Sequence, residues 1–321
     1  DIGKPECWAK QKPWSDHVHY TFKTVSRILG EDYAYISMRH HSGPSYPSEY
    51  HPKTDFEKII CLADNLASGA DRREEPKAGT PLPKPPVLLT HVLSGGDKVR
   101  FSTGAPRLAY TTQEIEKNLE EVGKNFSQKP DETYRSIYCF LKNSYLRFIP
   151  ADTRPPINDV SLWDHLKLTA AFSTCIWLDG GYKGDNPEKY GFALLSGDAD
   201  RVSQFVTTST RLPDLSARSR RINKATEEAA SSIEENLGPE CLIFAGGGGF
   251  LTISPEKMVE NIALKAKEAF EDITQGEVTI TVNHVMAGGK KAQRSFGEVW
   301  RDAMREMRLK KLTRPALMPL S

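Results

Sequence analysis

The sequence predicts an α+β protein in two parts, an all-helical first domain over residues 1–183 and an α/β second domain over residues 184–321. Three observations carry this. Through much of the first half, apolar residues recur at threes and fours, the period of helices packed on a core. After Gly184 the pattern changes to short apolar or alternating runs separated by polar helical stretches. The order of these later segments, β-α-β-β-α-β, is that of a ferredoxin-like four-stranded antiparallel sheet covered by helices. A chain of 321 residues with 38% apolar side chains has enough material for two such cores.

In chain order, Trp14 to Leu29 carries Val18, Phe22, Val25, Ile28 and Leu29 on one helical stripe, with Gly30 as its C-cap. A second helix runs from about Asp55 to Ala67, with Phe56, Ile59, Ile60, Ala63 and Leu66 inward and Gly69 as its stop. Residues 71–86, "DRREEPKAGTPLPKPP", hold five prolines without periodicity and read as a linker or exposed loop. Helical pattern resumes at Thr112 to Val122 and at Tyr134 to Phe148, and "PADTRPPINDV" is a further extended connector. "SLWDHLKLTAAFSTCIWLDGG" reads as a long helix capped by Ser161 with Asp164 three residues later and stopped by Gly180. In the second half, "YGFALLSGD" is a strand, residues 199–209 start a helix, and residues 216–236 form a long polar-faced one. "CLIFAGGGGFLTIS" reads as two strands around a glycine turn, residues 255–271 as a helix, "EVTITVNHV" as a strand and "FGEVWRDAMREMRLKKL" as a closing amphipathic helix.

Composition sets further bounds. Forty-three Lys and Arg against 42 Asp and Glu leave no global field, so any nucleic-acid binding has to use a local patch. Cys7, Cys61, Cys139, Cys175 and Cys241 have no C-x-x-C spacing for zinc or a redox couple, which predicts a reduced, cytoplasmic setting. No apolar run reaches the roughly 20 residues that span a bilayer, so no membrane partner is expected. The chain opens on "DIGKPECW" without an initiator methionine and reads as cut at its front.

The first half also holds Asp1, Asp16, His17, His19, His40, His41, His51, Asp64, His91, Asp164 and His165, including most of the eight histidines. Neutral imidazoles and carboxylates converging on one or two divalent ions are what a phosphohydrolase centre needs, because such ions activate water and clamp both oxygens of an in-line displacement. A single histidine near a helix end is more often a cap or a surface residue than a ligand. As a set they mark a candidate site.

"DIGK" looks like the second half of the "HDIGK" sequence of the HD phosphohydrolase superfamily, whose His and Asp both bind metal. "LWDHLKLTAA" resembles the helix carrying that superfamily's first histidine, yet follows "DIGK" by about 160 residues, an order that implies circular permutation. "FALLSGDADRVSQFV", "RSRRIN", "IFAGGGGFLTISP" and "FGEVWRDAMREMRLKKLTRP" are similar, in order, to segments of the first palm of the large, polymerase-like subunit of type III CRISPR effector complexes. The resemblance covers nearly the whole chain and implies a permuted HD domain followed by a ferredoxin-like palm, as a fragment or a short form. It implies metal ligands Asp1, His17, His40, His41, Asp64 and His165, with His19 competing for the place of His17. It further implies catalytic roles for Asp64, His41 and Lys4, the lysine helping to neutralise a phosphate, and a histidine immediately before Asp1. Mn, Ni or Mg are the implied metals and single-stranded DNA the substrate. CRISPR RNA and target RNA, reached through the assembled complex, and the small type III effector subunits are the implied partners.

The four consecutive glycines, Gly246 to Gly249, admit two readings: a tight hairpin using positive φ, or bare backbone approached by a nucleotide such as ATP. A G-x-G-x-x-G dinucleotide loop needs a helix directly afterwards, whereas "FLTIS" continues as a strand. The nucleotide-facing candidates are Gly197, Asp198, Gly246, Gly247 and Gly248. Catalytic palms carry acidic residues in this hairpin to hold two magnesium ions. Here the nearest acids are Asp198 and Asp200, so the palm is expected to be non-catalytic. The family's second palm with its "GGDD" turn and its four-cysteine module are absent from the sequence, so no oligoadenylate synthesis is expected of the chain alone. Arg211, Arg218, Arg220, Arg221 and Lys224, and the run "REMRLKKLTR", are either solvated helix faces or phosphate contacts. Three functions follow: a metal-dependent nuclease, an inactive scaffold and nucleotide-binding module of a ribonucleoprotein, and a phosphohydrolase of small nucleotides.

Overall fold

The computed structural model describes residues 1–10, 12–71, 105–152, 160–294 and 296–313. His91, residues 72–86 of the expected linker, and Arg314 lie outside the described residues. The chain divides into two compact units, Asp1–Ala170 and Ala171–Ser321.

The first unit is helical: α1 (Lys4–Ala9), α2 (His17–Leu29), α3 (Glu31–Met38), α4 (Asp55–Ala70), α5 (Ala105–Gly123), α6 (Pro130–Lys142) and the start of α7 (Leu162–Leu178). Two of these escape the periodicity argument. α1 is a six-residue helix, too short to show a period, and "EDYAYISM" of α3 has no one-sided apolar stripe. Gly30 ends α2 at φ 93°, as its sequence position suggests. α4 runs on past Gly69. Its start is fixed by a capping box: Thr54 Oγ1 accepts from the Glu57 N–H at 3.3 Å, and Glu57 Oε2 accepts from the Thr54 N–H at 2.8 Å. Because Glu57 takes the inward place in the first turn, Phe56 is 52% exposed, not packed inward as its spacing suggests. Behind it Ile59, Leu62, Ala63, Leu66 and Ala67 are buried, and Asp64 is buried among them. A second cluster joins Trp8, Ile115, Leu119, Leu146, Ile149, Leu162 and Trp163.

The second unit takes in the later turns of α7, whose Phe172, Cys175 and Ile176 are fully buried and whose Phe172 ring meets Phe192 edge-on at 5.0 Å. It continues as β1 (Gly191–Ala199), α8 (Val202–Thr207), α9 (Leu212–Leu237), β2 (Leu242–Gly246), β3 (Gly249–Pro255), α10 (Val259–Thr274), β4 (Ile280–Gly288), α11 (Gly289–Arg294) and α12 (Phe296–Thr313). The sheet order is β2-β3-β1-β4 with every neighbour antiparallel, the order that two β-α-β crossovers, each passing over one intervening strand, produce. Phe192 to Gly197 of β1 are all buried, which is why this strand reads as a continuous apolar run. α9 and α10 pack on each other and on the sheet, and α12 packs on β4 and β1.

Candidate metal centre

Five stretches of the first unit bring the candidate ligands together. Asp1 precedes α1, and Gly3 allows that turn to lie directly on α2. A Cβ at Gly3 would stand 2.3 Å from the Thr21 backbone nitrogen and 2.4 Å from the His17 carbonyl oxygen. The Gly3 N–H instead donates to Thr21 Oγ1 at 3.1 Å, setting Asp1 beside His17 at the start of α2. His40 and His41 follow the end of α3, Asp64 projects from the buried side of α4, and His165 lies in the first turn of α7, where the Asp164 N–H donates to the Ser161 cap at 3.0 Å.

Asp1 is shared by two groups of donors, Asp1–His17–His40–His41 and Asp1–Asp64–His165. Its Oδ1 lies 3.1 Å from His17 Nε2, 3.1 Å from His40 Nε2 and 4.0 Å from His41 Nε2. The His17 Nε2 atom lies 3.3 Å from that of His40 and 3.2 Å from that of His41. On the other side Asp1 Oδ2 is 3.0 Å from His165 Nε2, which is also 3.0 Å from Asp64 Oδ1, and His41 Nδ1 is 3.6 Å from Asp64 Oδ2. With metal–ligand bonds of about 2.0–2.2 Å, neighbouring donors of a tetrahedral or octahedral ion stand about 3.0–3.5 Å apart, a range that holds these separations except the two between His41 and the carboxylates. Imidazole nitrogens with carboxylate oxygens form a donor set suited to zinc, nickel or manganese. The residues fit a divalent cation.

The electrostatics agree with that chemistry. Burial pushes the His40 imidazole down to about 3. Burial, aided by His40, also holds His41 well below its ordinary value, so both offer lone pairs at neutral pH. Burial alone would raise the Asp64 carboxyl, but the hydrogen bond with His165 and the nearby His41 and His40 hold it well below the usual carboxylate range. His165 shows the converse: burial opposes its charge, and hydrogen bonds to Asp64 and Asp71 nevertheless raise its pKa. His41 is the least buried of the ligand imidazoles, with its side chain 19% exposed and its ring stacked on Tyr46 at 4.5 Å.

Other candidates lie elsewhere. His19 faces Tyr50, whose hydroxyl is 2.8 Å from its Nε2, and His51 Nε2 lies 3.0 Å from the Tyr46 carbonyl oxygen. Asp16 is the N-cap of α2. Lys4 is buried, with Nζ 2.6 Å from Asp1 Oδ2 and 3.1 Å from the Ala151 carbonyl oxygen. Asp71 was not among the sequence candidates, although its Oδ2 lies 2.7 Å from His165 Nδ1. Its seven-residue spacing from Asp64 on one helix was the available signal.

In the second unit Gly197, Asp198 and the glycine turn meet at one end of the sheet, with Gly197 opposite Phe250 and Asp198 opposite Gly249. Gly247 and Gly248 have φ of 62° and 91°, the two positive values that a two-residue type I′ hairpin requires. Asp198 pairs with Lys311 Nζ at 2.5 Å, and Asp200 accepts from Thr279 and Thr281 at 2.8 and 2.7 Å. Among the described residues no group in this unit gathers metal donors as the first unit does. Arg221 of the basic run is spent on α10, its Nε and Nη2 donating to the carbonyls of Ile273 and Thr274 at 3.0 and 2.7 Å. Arg218 donates to the Phe205 carbonyl at 2.9 Å. No helix among the described residues is long and apolar enough to cross a membrane.

No family model matches the chain. Over 280 residues it is 26% identical to a CRISPR system single-strand-specific deoxyribonuclease Cas10/Csm1 (subtype III-A) of Streptococcus thermophilus, covering 72% of this chain and 36% of that protein. The protein of the same description from Methanocaldococcus jannaschii is 26% identical over 253 residues, covering 63% and 31%. The crystal structure of Csm1 in T. onnurineus superposes with a TM-score of 0.69 at 19% identity, covering 97% of this chain and 47% of that one. A Csm1-Csm4 cassette in complex with one ATP gives 0.69 at 20% identity, covering 98% and 47%. The chain thus spans about a third of the length of these curated relatives and about half of these structures. By sequence likeness and by fold, it is a relative of the Cas10/Csm1 subunits of type III CRISPR systems over most of its length.

Proposed function

We propose that the first unit is a permuted HD domain whose metal centre hydrolyses single-stranded DNA in CRISPR-based antiviral defence. The observation that carries this is the convergence of Asp1, His17, His40, His41, Asp64 and His165 from five separate stretches of chain, with Asp1 common to both donor groups. A bound Mn, Ni or Mg ion would supply Lewis acidity toward the phosphate and a water nucleophile at neutral pH. The protein's part is to hold that chemistry in place. The buried imidazoles of His17 and His40, the half-buried imidazole of His41 and the carboxylates of Asp1 and Asp64 fix the donors, while Lys4 neutralises part of the carboxylate charge. The partly exposed His41 marks the side from which a strand would enter.

The second unit we read as a non-catalytic palm, since Asp198 and Asp200 are engaged by Lys311, Thr279 and Thr281. Gly197, Asp198 and the turn of Gly246, Gly247 and Gly248 are its candidate contacts for ATP. Likeness to Csm1 bound to Csm4, and to a nucleotide-bound cassette, supports a place beside small type III subunits; CRISPR RNA and target RNA are the further partners we propose for such an assembly.

The test is cleavage of labelled single-stranded DNA with Mn, Ni or Mg, by the wild type and by Asp64→Ala. Cleavage that needs the ion and is lost in the variant supports the proposal; equal cleavage by both sinks it. One observation favours the competing scaffold reading, in which the site performs no chemistry: Lys4 already neutralises the carboxylate that both donor groups share. That reading predicts neither bound metal nor hydrolysis, with nucleotide or subunit binding retained.

A further inference from the structure

Two aspartates of α4 meet one imidazole from opposite ends. Asp64 and Asp71 stand seven residues, or two turns, apart and so share a side of the helix. His165 places Nε2 3.0 Å from Asp64 Oδ1 and from Asp1 Oδ2, and Nδ1 2.7 Å from Asp71 Oδ2. His165 and Asp71 are 2% and 8% exposed, so water competes little for either group. An imidazole can offer a lone pair at Nε2 only when its proton sits on Nδ1. A carboxylate facing Nδ1 holds a proton there, because a bare Nδ1 would set a lone pair against a negative oxygen, and Nε2 is then left to the cation that Asp1 and Asp64 would share. His40 follows the same rule with a weaker partner, its Nδ1 lying 2.5 Å from the Ser37 carbonyl oxygen. The Asp71 bond, being charge-assisted, is the stronger constraint.

We propose that Asp71 is a positioning residue that orients His165, through a hydrogen bond accepted from Nδ1–H, so that Nε2 is presented to the cation site between Asp1 and Asp64. This rests on reading the site as a metal centre. Asp71 does not touch the cation site; it lies at the far edge of the ring and acts through it. Outer partners of this kind orient the ring and raise the basicity of the ligating nitrogen. Asp71 also ends α4, where its backbone N–H donates to the Ala67 carbonyl at 2.8 Å. That bond survives a side-chain change, so the two roles separate experimentally.

The experiment compares wild type, Asp71→Ala and Asp71→Asn in the full chain, with circular dichroism checking the fold. Manganese affinity is measured by calorimetry, and the His165 ring nitrogens are followed by NMR in metal-free and zinc-loaded protein. Asp71→Ala should bind manganese about 10–100-fold more weakly and lose the Nδ1–H signal. Asp71→Asn keeps an acceptor oxygen without the charge and should fall between. Wild-type affinity in a folded Asp71→Ala variant, or a His165 proton on Nε2 alone in the wild type, overturns the proposal. If the wild type binds none of these ions, it is the metal reading that fails. The metal-free spectrum then decides the Asp71 link by itself: loss of Nδ1–H in Asp71→Ala upholds it, and retention refutes it.

Discussion

Asp64→Ala gives the sharpest thermodynamic test of the metal centre. Asp64 is 4% exposed, lies 3.0 Å from His165 Nε2 and 3.6 Å from His41 Nδ1, and supplies one of the two carboxylates in the donor set. Its loss removes a candidate ligand and a negative charge together. Outer-shell losses cost about 10–100-fold in metal affinity, so this one should cost at least about 100-fold. At a manganese concentration of about 100 times the wild-type Kd, binding to the native state adds about 2.7 kcal/mol of stability. For a cooperative unit of this size that raises Tm by about 5–10 °C. The same concentration would only about equal the variant's Kd, adding about 0.4 kcal/mol, or about 1 °C. The metal-free variant need not collapse, because His165 keeps Asp1 and Asp71 as partners. The assay is a thermal melt of both proteins with and without manganese. An equal metal-induced shift in the two would show that the ion binds elsewhere and would refute the reasoning.

Three further outcomes are expected. His17→Ala should abolish metal-dependent cleavage of single-stranded DNA, whereas His19→Ala should leave it unchanged, because only His17 faces the other donors; the reverse result would reassign the site. Glu57→Gln should lower stability to urea by about 1–3 kcal/mol at neutral pH by weakening charge-assisted bonds. The buried Glu57 carboxyl is held below its ordinary value by the Thr54 and Lys53 N–H groups and Arg39, although burial alone would raise it. Its contribution is therefore full above the ordinary glutamate range and fades as pH falls through the lowered value, closing the gap between wild type and variant. Arg221→Ala should destabilise the second unit by about 2 kcal/mol in a denaturant titration, since it strips the capping donors from α10 and an ion pair with Glu277 at 2.9 Å. Arg221→Lys should recover little of that loss, because a single ammonium cannot reproduce the guanidinium fork.

Much of the architecture is local, and local signals reported it. The stop of α2 at Gly30, the Ser161–Asp164 start of α7 and the glycine hairpin each follow from one or two residues whose backbone preference acts within a single turn. Where neighbours override such preferences, local signals fell short. Gly69 does not end α4, and Phe56 is displaced outward by the capping carboxylate of Glu57. The basic run of α9 was open to two readings, and for Arg221 the difference lies in carbonyl groups more than fifty residues away.

The sequence alone could nominate the donor residues, because imidazoles and carboxylates gathered in one half of a chain are chemically distinctive. It could not tell His17 from His19, find Asp71, or show Lys4 turned inward onto Asp1. Those outcomes depend on which side of each helix is buried and on what the facing helix presents there. Side chains as far apart in sequence as Asp1 is from His40 and from His165 reach bonding distance only through that packing, so the tertiary structure alone could decide them.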